Sequence, residues 1–234
     1  MARNQGEKVK GVADIVFLID ITGSMAGCIE ALQNNIAKFI DFLTSTGAND
    51  AVIKDWRGKC VGFRDYEHDV SNWIEDNPFV RDADRLKEQL YKFNADGGGD
   101  EPETLLDAIY TIGSMGETTQ GATESPDKWR HKRDAARVIV IFSDASFKPK
   151  MFISPATGGS VNDIITLIHD KRLILSIFAP DLSCYDRLAT ADKSEFQSVA
   201  GLGLAEITSD TKNFQQTLKQ LAASVSKSAA TPEL

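Results

Sequence analysis

The sequence predicts a doubly wound α/β domain, with a mainly parallel sheet and helices on both faces. Three observations carry this expectation. The stretches Ile15–Ile19, Ala136–Phe142 and Leu173–Phe178 are almost continuously apolar and rich in β-branched residues, the pattern of strands buried on both faces. Segments whose apolar residues recur three and four positions apart lie between them, so strands alternate with helices. There is no internal repeat and no second apolar core, and 234 residues suit one large domain.

Taken in order, residues 1–11 are polar and are expected to form a flexible N-terminal arm. Residues 12–20 form the first strand. Ile29, Leu32, Ile36, Phe39, Ile40 and Leu43 predict a helix from about Ser24 to Thr44, ended by Gly47. Residues 51–65 read as a second strand with Val61 and Phe63 as its apolar positions. Residues 71–74 read as a short antiparallel edge strand, and Asn77-Pro78 as a turn. Leu86, Leu90 and Phe93 mark a second helix; Leu106, Ile109 and Ile112 mark a third. Residues 116–127, rich in Thr, Gly, Ser and Pro, read as a surface loop. After the strand at 136–142, Val161, Ile164, Ile165 and Ile168 give a fourth helix its core face. The strand at 173–178 leads into an irregular stretch, then a short last strand at 204–207. Phe214, Leu218, Leu221 and Val225 predict a closing helix. Residues 12–226 are expected to be one domain, and 227–234 a frayed tail.

Composition excludes some classes. A net charge of −8 argues against binding nucleic acid or an anionic membrane. No apolar run approaches the ~20 residues that span a bilayer. Cys28, Cys60 and Cys184 are odd in number and widely spaced, which fits neither a disulfide framework nor a zinc site. A cytoplasmic protein with reduced thiols is expected, with Cys28 packed in the core. The one basic cluster, Lys128-Trp129-Arg130-His131-Lys132-Arg133, reads as a solvated turn with Trp129 packed on the domain edge. The alternative is a docking patch for an acidic partner.

The first strand runs into Asp20-Ile21-Thr22-Gly23-Ser24-Met25. A loop that leaves the carboxyl end of a strand and enters a helix is where open α/β sheets hold ligands. Asp20, Thr22 and Ser24 offer one carboxylate and two hydroxyls, hard donors suited to Mg2+ or Mn2+. The same string also serves as a plain strand-to-helix turn capped by Ser24.

This string resembles the D-x-[ST]-G-S-[MR] signature of von Willebrand factor type A (vWA) domains. The resemblance implies a vWA or Rossmann-like fold and a metal-ion-dependent adhesion site. Asp144, after Val138-Ile139-Val140-Ile141-Phe142, matches the family's third-loop aspartate. The second loop is Gly97-Gly98-Gly99-Asp100-Glu101-Pro102-Glu103-Thr104, where the family usually has a threonine after glycines. Thr104 serves if the loop is longer than usual; Asp100 serves if it replaces the threonine. The stretch resembles a subgroup with G-G-G-D-x-P-E, which includes vWA domains fused to alpha-kinases, and this favours Asp100. Gly62-Phe63-Arg64-Asp65-Tyr66, Trp129 and Ser143-Asp144-Ala145 resemble it too. Glu101 or Glu103 is expected to face the positive N-terminus of the third helix. The resemblance implies an adaptor that binds protein partners. A partner's exposed Asp or Glu would complete the metal's coordination, and a kinase, an AAA+ ATPase or a stress-response component is the kind of partner implied.

The competing expectation is an enzyme, a Mg2+-dependent phosphotransferase or phosphatase with Asp20 as nucleophile. Such enzymes resemble D-x-D, and Thr22 stands where the second carboxylate would be. Gly97-Gly98-Gly99 lacks the G-K-[ST] ending of a phosphate loop, and the acids after it would repel phosphate. His68, His131 and His169 stand in no catalytic spacing. Here His68 reads as a polar loop residue and His169 as a helix end.

Overall fold

The computed structural model describes residues 11–45, 53–99 and 101–199 and scattered helical residues between 212 and 223, and these described residues form one six-stranded sheet with helices on both faces. Residues 1–10 of the N-terminal arm, Gly47, Asp100, the expected strand at 204–207, Phe214, Leu221 and Val225 of the expected closing helix, and the C-terminal tail lie outside the described residues. The strands are β1 (Val12–Asp20), β2 (Asp55–Phe63), β3 (Ile74–Asp76), β4 (Ala136–Phe142), β5 (Leu173–Pro180) and β6 (Glu195–Val199), in spatial order β3-β2-β1-β4-β5-β6. All neighbours run parallel except β3, which is antiparallel to β2 at the edge. The helices are α1 (Ala26–Ser45), α2 (Ala83–Tyr91), α3 (Leu105–Gly113), α4 (Val161–Lys171) and α5 (Ser183–Leu188).

The two faces of β1 explain its unbroken apolar run. Ile15, Phe17 and Ile19 pack into the core that holds Leu32, Ile36 and Phe39 of α1 and Leu86 and Leu90 of α2. Val16 and Leu18 point the other way, among Ile109 and Ile112 of α3, Ile164 and Ile168 of α4 and Leu188 of α5. A strand covered on both sides has no polar face, so the alternation of a half-exposed strand disappears from its sequence. The described part of the closing helix adds Leu218 and Ala222 to the first core. Local signals set the helix ends. Asp82 accepts from the backbone N–H groups of Asp84 and Arg85 at the start of α2, and Ser160 and Asp163 form a reciprocal capping box on α4.

Three expectations need correction. β2 is shorter than residues 51–65, and its Arg57 and Lys59 are buried. Lys59 Nζ is accommodated by Asp76 Oδ1 at 2.6 Å across the edge strand. The basic cluster is not a solvated turn at its centre: Trp129 is fully buried and Arg130 is nearly so. Arg130 Nε and its backbone N–H donate to the buried Asp14 carboxylate at 2.6 and 2.7 Å, and Arg57 Nε and Nη2 donate to it at 2.8 and 2.7 Å. A buried carboxylate needs such partners, and Asp14 draws Arg130 inward. Lys128 and Arg133 do face solvent. Lastly, β6 and α5 occupy a stretch read as irregular. The sequence Glu195-Phe196-Gln197-Ser198-Val199 has little apolar pattern and becomes a strand by pairing with the exposed edge of β5. Among the described residues no helix is long and apolar enough to cross a membrane.

Candidate metal centre at the head of the sheet

The chain leaves β1 towards β2 on one side and β4 lies on the other, so the order of connections reverses between β1 and β4. Crevices open at such switch points, at the carboxyl ends of the strands. Thr22 is extended, and a tight 3-10 turn over Gly23–Met25 leads into α1. Ser24 does not act as a cap. Its hydroxyl donates to Asp144 Oδ1 at 3.1 Å, joining the loop after β1 to the loop after β4. Thr22 Oγ1 lies 3.4 Å from Ser24 Oγ and donates to Asp20 Oδ1 at 2.7 Å.

Asp20 is fully buried. Its Oδ1 also accepts from the Thr22 backbone N–H at 3.0 Å, and its Oδ2 accepts from Ser143 Oγ at 2.9 Å. Burial pushes its carboxyl up to about 6 against the bonds from Thr22, and the charge of Asp144 adds to the rise. Asp144 is itself raised, by burial and by Glu101, with the Ser24 bond opposing.

The second loop packs tightly against this pair. Gly97, Gly98 and Gly99 all have positive φ, at 69°, 96° and 64°. A Cβ on Gly98 would stand 2.4 Å from Thr22 Cγ2, and one on Gly99 2.5 Å from the His68 ring. Only glycine combines that backbone with that approach. Asp96 donates its N–H to Ile21 O at 3.2 Å and Gly98 to Asp69 Oδ2 at 2.9 Å, which pins the loop beside β1.

Of the expected second-loop ligands, Asp100 lies outside the described residues. Thr104 is buried, donates to Asp65 Oδ1 at 2.9 Å and accepts from the Tyr66 N–H at 2.8 Å, and does not line the cavity. Glu103 does line it. Its side chain is buried, Oε2 has no hydrogen-bond partner, and burial, with the charges of Asp20 and Asp65 behind it, pushes its carboxyl up to about 8. The sequence reading had given Glu101 or Glu103 to the helix terminus. The signal for Glu103 was its place at the end of the G-G-G-D-x-P-E string.

Thr22, Ser24, Glu101, Glu103 and Asp144 thus border one cavity of about 240 Å³. The donors are all oxygens, which fits Mg2+ or Mn2+ and not a soft ion. Among the described residues no three His, Cys, Asp or Glu side chains gather closely enough to hold an ion by themselves, so hydroxyls must contribute. The orphaned Glu103 oxygen and the raised carboxyls of Asp20 and Asp144 are what a cation would relieve. The arrangement offers little to a covalent mechanism. Both Asp20 oxygens are engaged and buried, and among the described residues no histidine lines the cavity.

No family model and no curated protein matches the sequence. Among solved structures, the chain is similar to the crystal structure of the SpRpn10 VWA domain, with 12% identity, a TM-score of 0.51, and cover of 84% of this chain and 93% of that one. At that identity the likeness speaks for architecture alone, and with the sheet order above it leads to one conclusion: the chain has a vWA-like α/β fold.

Proposed function

We propose that this chain is a protein-interaction adaptor whose cavity at the head of the sheet is a metal-ion-dependent adhesion site. Ser24, Asp144 and Glu103 would hold Mg2+ or Mn2+, with Thr22 beside Ser24 and Asp20 fixing Thr22 and Ser143 from below. The ion would supply a Lewis-acidic position that an exposed Asp or Glu of a partner protein fills. The observation that carries this reading is the convergence of Ser24 Oγ and Asp144 Oδ1, 120 residues apart, beside a buried Glu103 oxygen with no partner. Hydroxyls and carboxylates meeting at a switch point serve a hard cation, and a coordination position left to exchangeable water serves a carboxylate. The free thiols of Cys28 and Cys60, buried, and of Cys184 accord with a cytoplasmic address. The resemblance to the alpha-kinase-linked subgroup points to kinase, AAA+ or stress-response assemblies as partners, with Asp100 as a further ligand.

Titration calorimetry with Mg2+ and Mn2+ tests the metal. Asp144→Asn is expected to weaken binding at least about tenfold, since an ionised acceptor contributes about 1.5–3 kcal/mol even to a hydrogen bond. Binding left unchanged by Asp144→Asn and Ser24→Ala would overturn the site. Partner capture equally strong in chelator would overturn the adhesion mechanism.

A further inference from the structure

With a cation bound and its carboxylates ionised, the same cavity would carry more negative charge than one divalent ion neutralises. Asp144, Glu103 and Glu101 line it, and among the described residues no Lys, Arg or His does. Glu103 lines the cavity, is 4% exposed and has no partner for its Oε2, so nothing else in the described residues would compensate it there once it ionises. Across Gly97, which borders both, lies a second cavity of about 460 Å³ lined by Asp69, Glu75 and Asp96, with Arg64 as its one basic side chain among the described residues. Arg64 is already committed. It bonds Glu75 Oε1 at 2.8 Å, pairs with Asp96 Oδ1 at 3.2 Å, and donates to the carbonyls of Asn72, Asn94 and Asp96. The surface around the metal position is therefore acidic on both sides, and the basic groups near it are already paired, Arg64 with Glu75 and Asp96 and Lys148 with Asp65 and Glu67.

A carboxylate coming to the metal must pass these like charges, and like-charge juxtaposition at an interface selects against a partner. A partner overcomes this by bringing compensating positive charge on the same segment. Successive residues of an extended chain stand about 3.3 Å apart and alternate in direction, so the side chains two positions before and two positions after the Asp point the same way as it does and reach the two borders. We propose that the partner segment is zwitterionic, with one Asp or Glu at the metal flanked by Lys or Arg side chains. One flank pairs with Glu101, and the other enters the cavity bordered by Asp69 and Asp96. This inference rests on the metal reading above, and it adds the charge pattern that the partner must carry.

The test is a peptide-display library with a fixed central Asp and randomised flanks, selected on the full chain in Mn2+ and eluted with chelator. The expected result is chelator-eluted sequences enriched in Lys and Arg beside the Asp. Replacing each basic flank by Ser should weaken binding about two- to fivefold, the range for an exposed ion pair. Glu101→Gln with Asp96→Asn should abolish that basic preference, and raising the salt concentration should shrink it in the wild type. Chelator-eluted peptides that need the Asp but carry neutral or acidic flanks would overturn the zwitterionic partner and leave the metal site standing. Selected peptides that survive chelator, or bind the Asp144→Asn chain equally, would overturn the metal reading and this inference with it.

Discussion

Glu103→Gln in metal-free protein is expected to raise the melting temperature at neutral pH, an unusual direction for a change at a buried side chain. Glu103 stands at about 8 in the folded chain against an ordinary value of 4.5. Between those values the unfolded chain gives up the proton and the folded chain keeps it. Folding is therefore undisturbed below about pH 4.5, loses stability progressively as pH rises towards 8, and loses no more above it. At pH 7 the disparity amounts to about 3 kcal/mol, at 1.36 kcal/mol per unit. Glutamine keeps the shape and cannot ionise, so it removes that penalty. At roughly 2–4 °C per kcal/mol for a chain of this size, the variant should melt about 6–12 °C higher in chelator at pH 7. The difference should vanish near pH 4. Saturating Mg2+ should close most of this gap, because the cation favours the ionised wild type and contributes about 2.7 kcal/mol at a hundredfold excess over Kd. The assay is thermal denaturation of both proteins across pH 4–9, with and without Mg2+. Asp170→Asn, at a position 69% exposed, is the neutral comparison. A variant that melts at or below wild type at pH 7 and pH 4 alike would refute the reasoning that burial holds Glu103 neutral. A wild-type melt indifferent to Mg2+ and Mn2+ at every pH would remove the metal site.

Two further outcomes separate the site from the scaffold. Asp14→Ala leaves the buried guanidinium groups of Arg57 and Arg130 without their shared carboxylate and should cost about 3–5 kcal/mol in denaturant unfolding. Arg81→Ala, whose pairs with Asp55 and Glu124 are half-exposed, should cost about 1 kcal/mol or less; equal losses would mean that the buried network does not hold the base of the sheet. Thr104→Ala should cost about 1–3 kcal/mol of stability by stripping a bond from buried Asp65, with little change in Mg2+ affinity by calorimetry. Ser24→Ala should do the reverse, and the opposite ranking would restore Thr104 as the second-loop ligand.

By itself the sequence determined the layers of this protein and pointed to the first and third loops of the candidate site. Strands buried on both faces cannot hide their composition, which is why β1, β4 and β5 were legible at close to their true bounds, and why helices spaced between them implied a doubly wound sheet. The placing of Asp20, Thr22, Ser24 and Asp144 at one edge was legible because strand ends fix where the next residues go: a side chain one or two positions past a parallel strand has little choice but the carboxyl edge. Tertiary structure alone decided the rest. β6 exists because β5 has an edge to pair, a fact absent from Glu195–Val199. Arg130 turned inward because Asp14, 116 residues away, needed a counter-charge where water does not reach. In the second loop, three glycines with positive φ let the chain fold back against Thr22 and His68, and this geometry, more than residue type, turned Thr104 to Asp65 and Glu103 to the cavity. Both residues have oxygens of the right kind, and adjacent positions entering a helix face different ways. A one-residue difference in loop path therefore exchanges their roles, and only packing settles it.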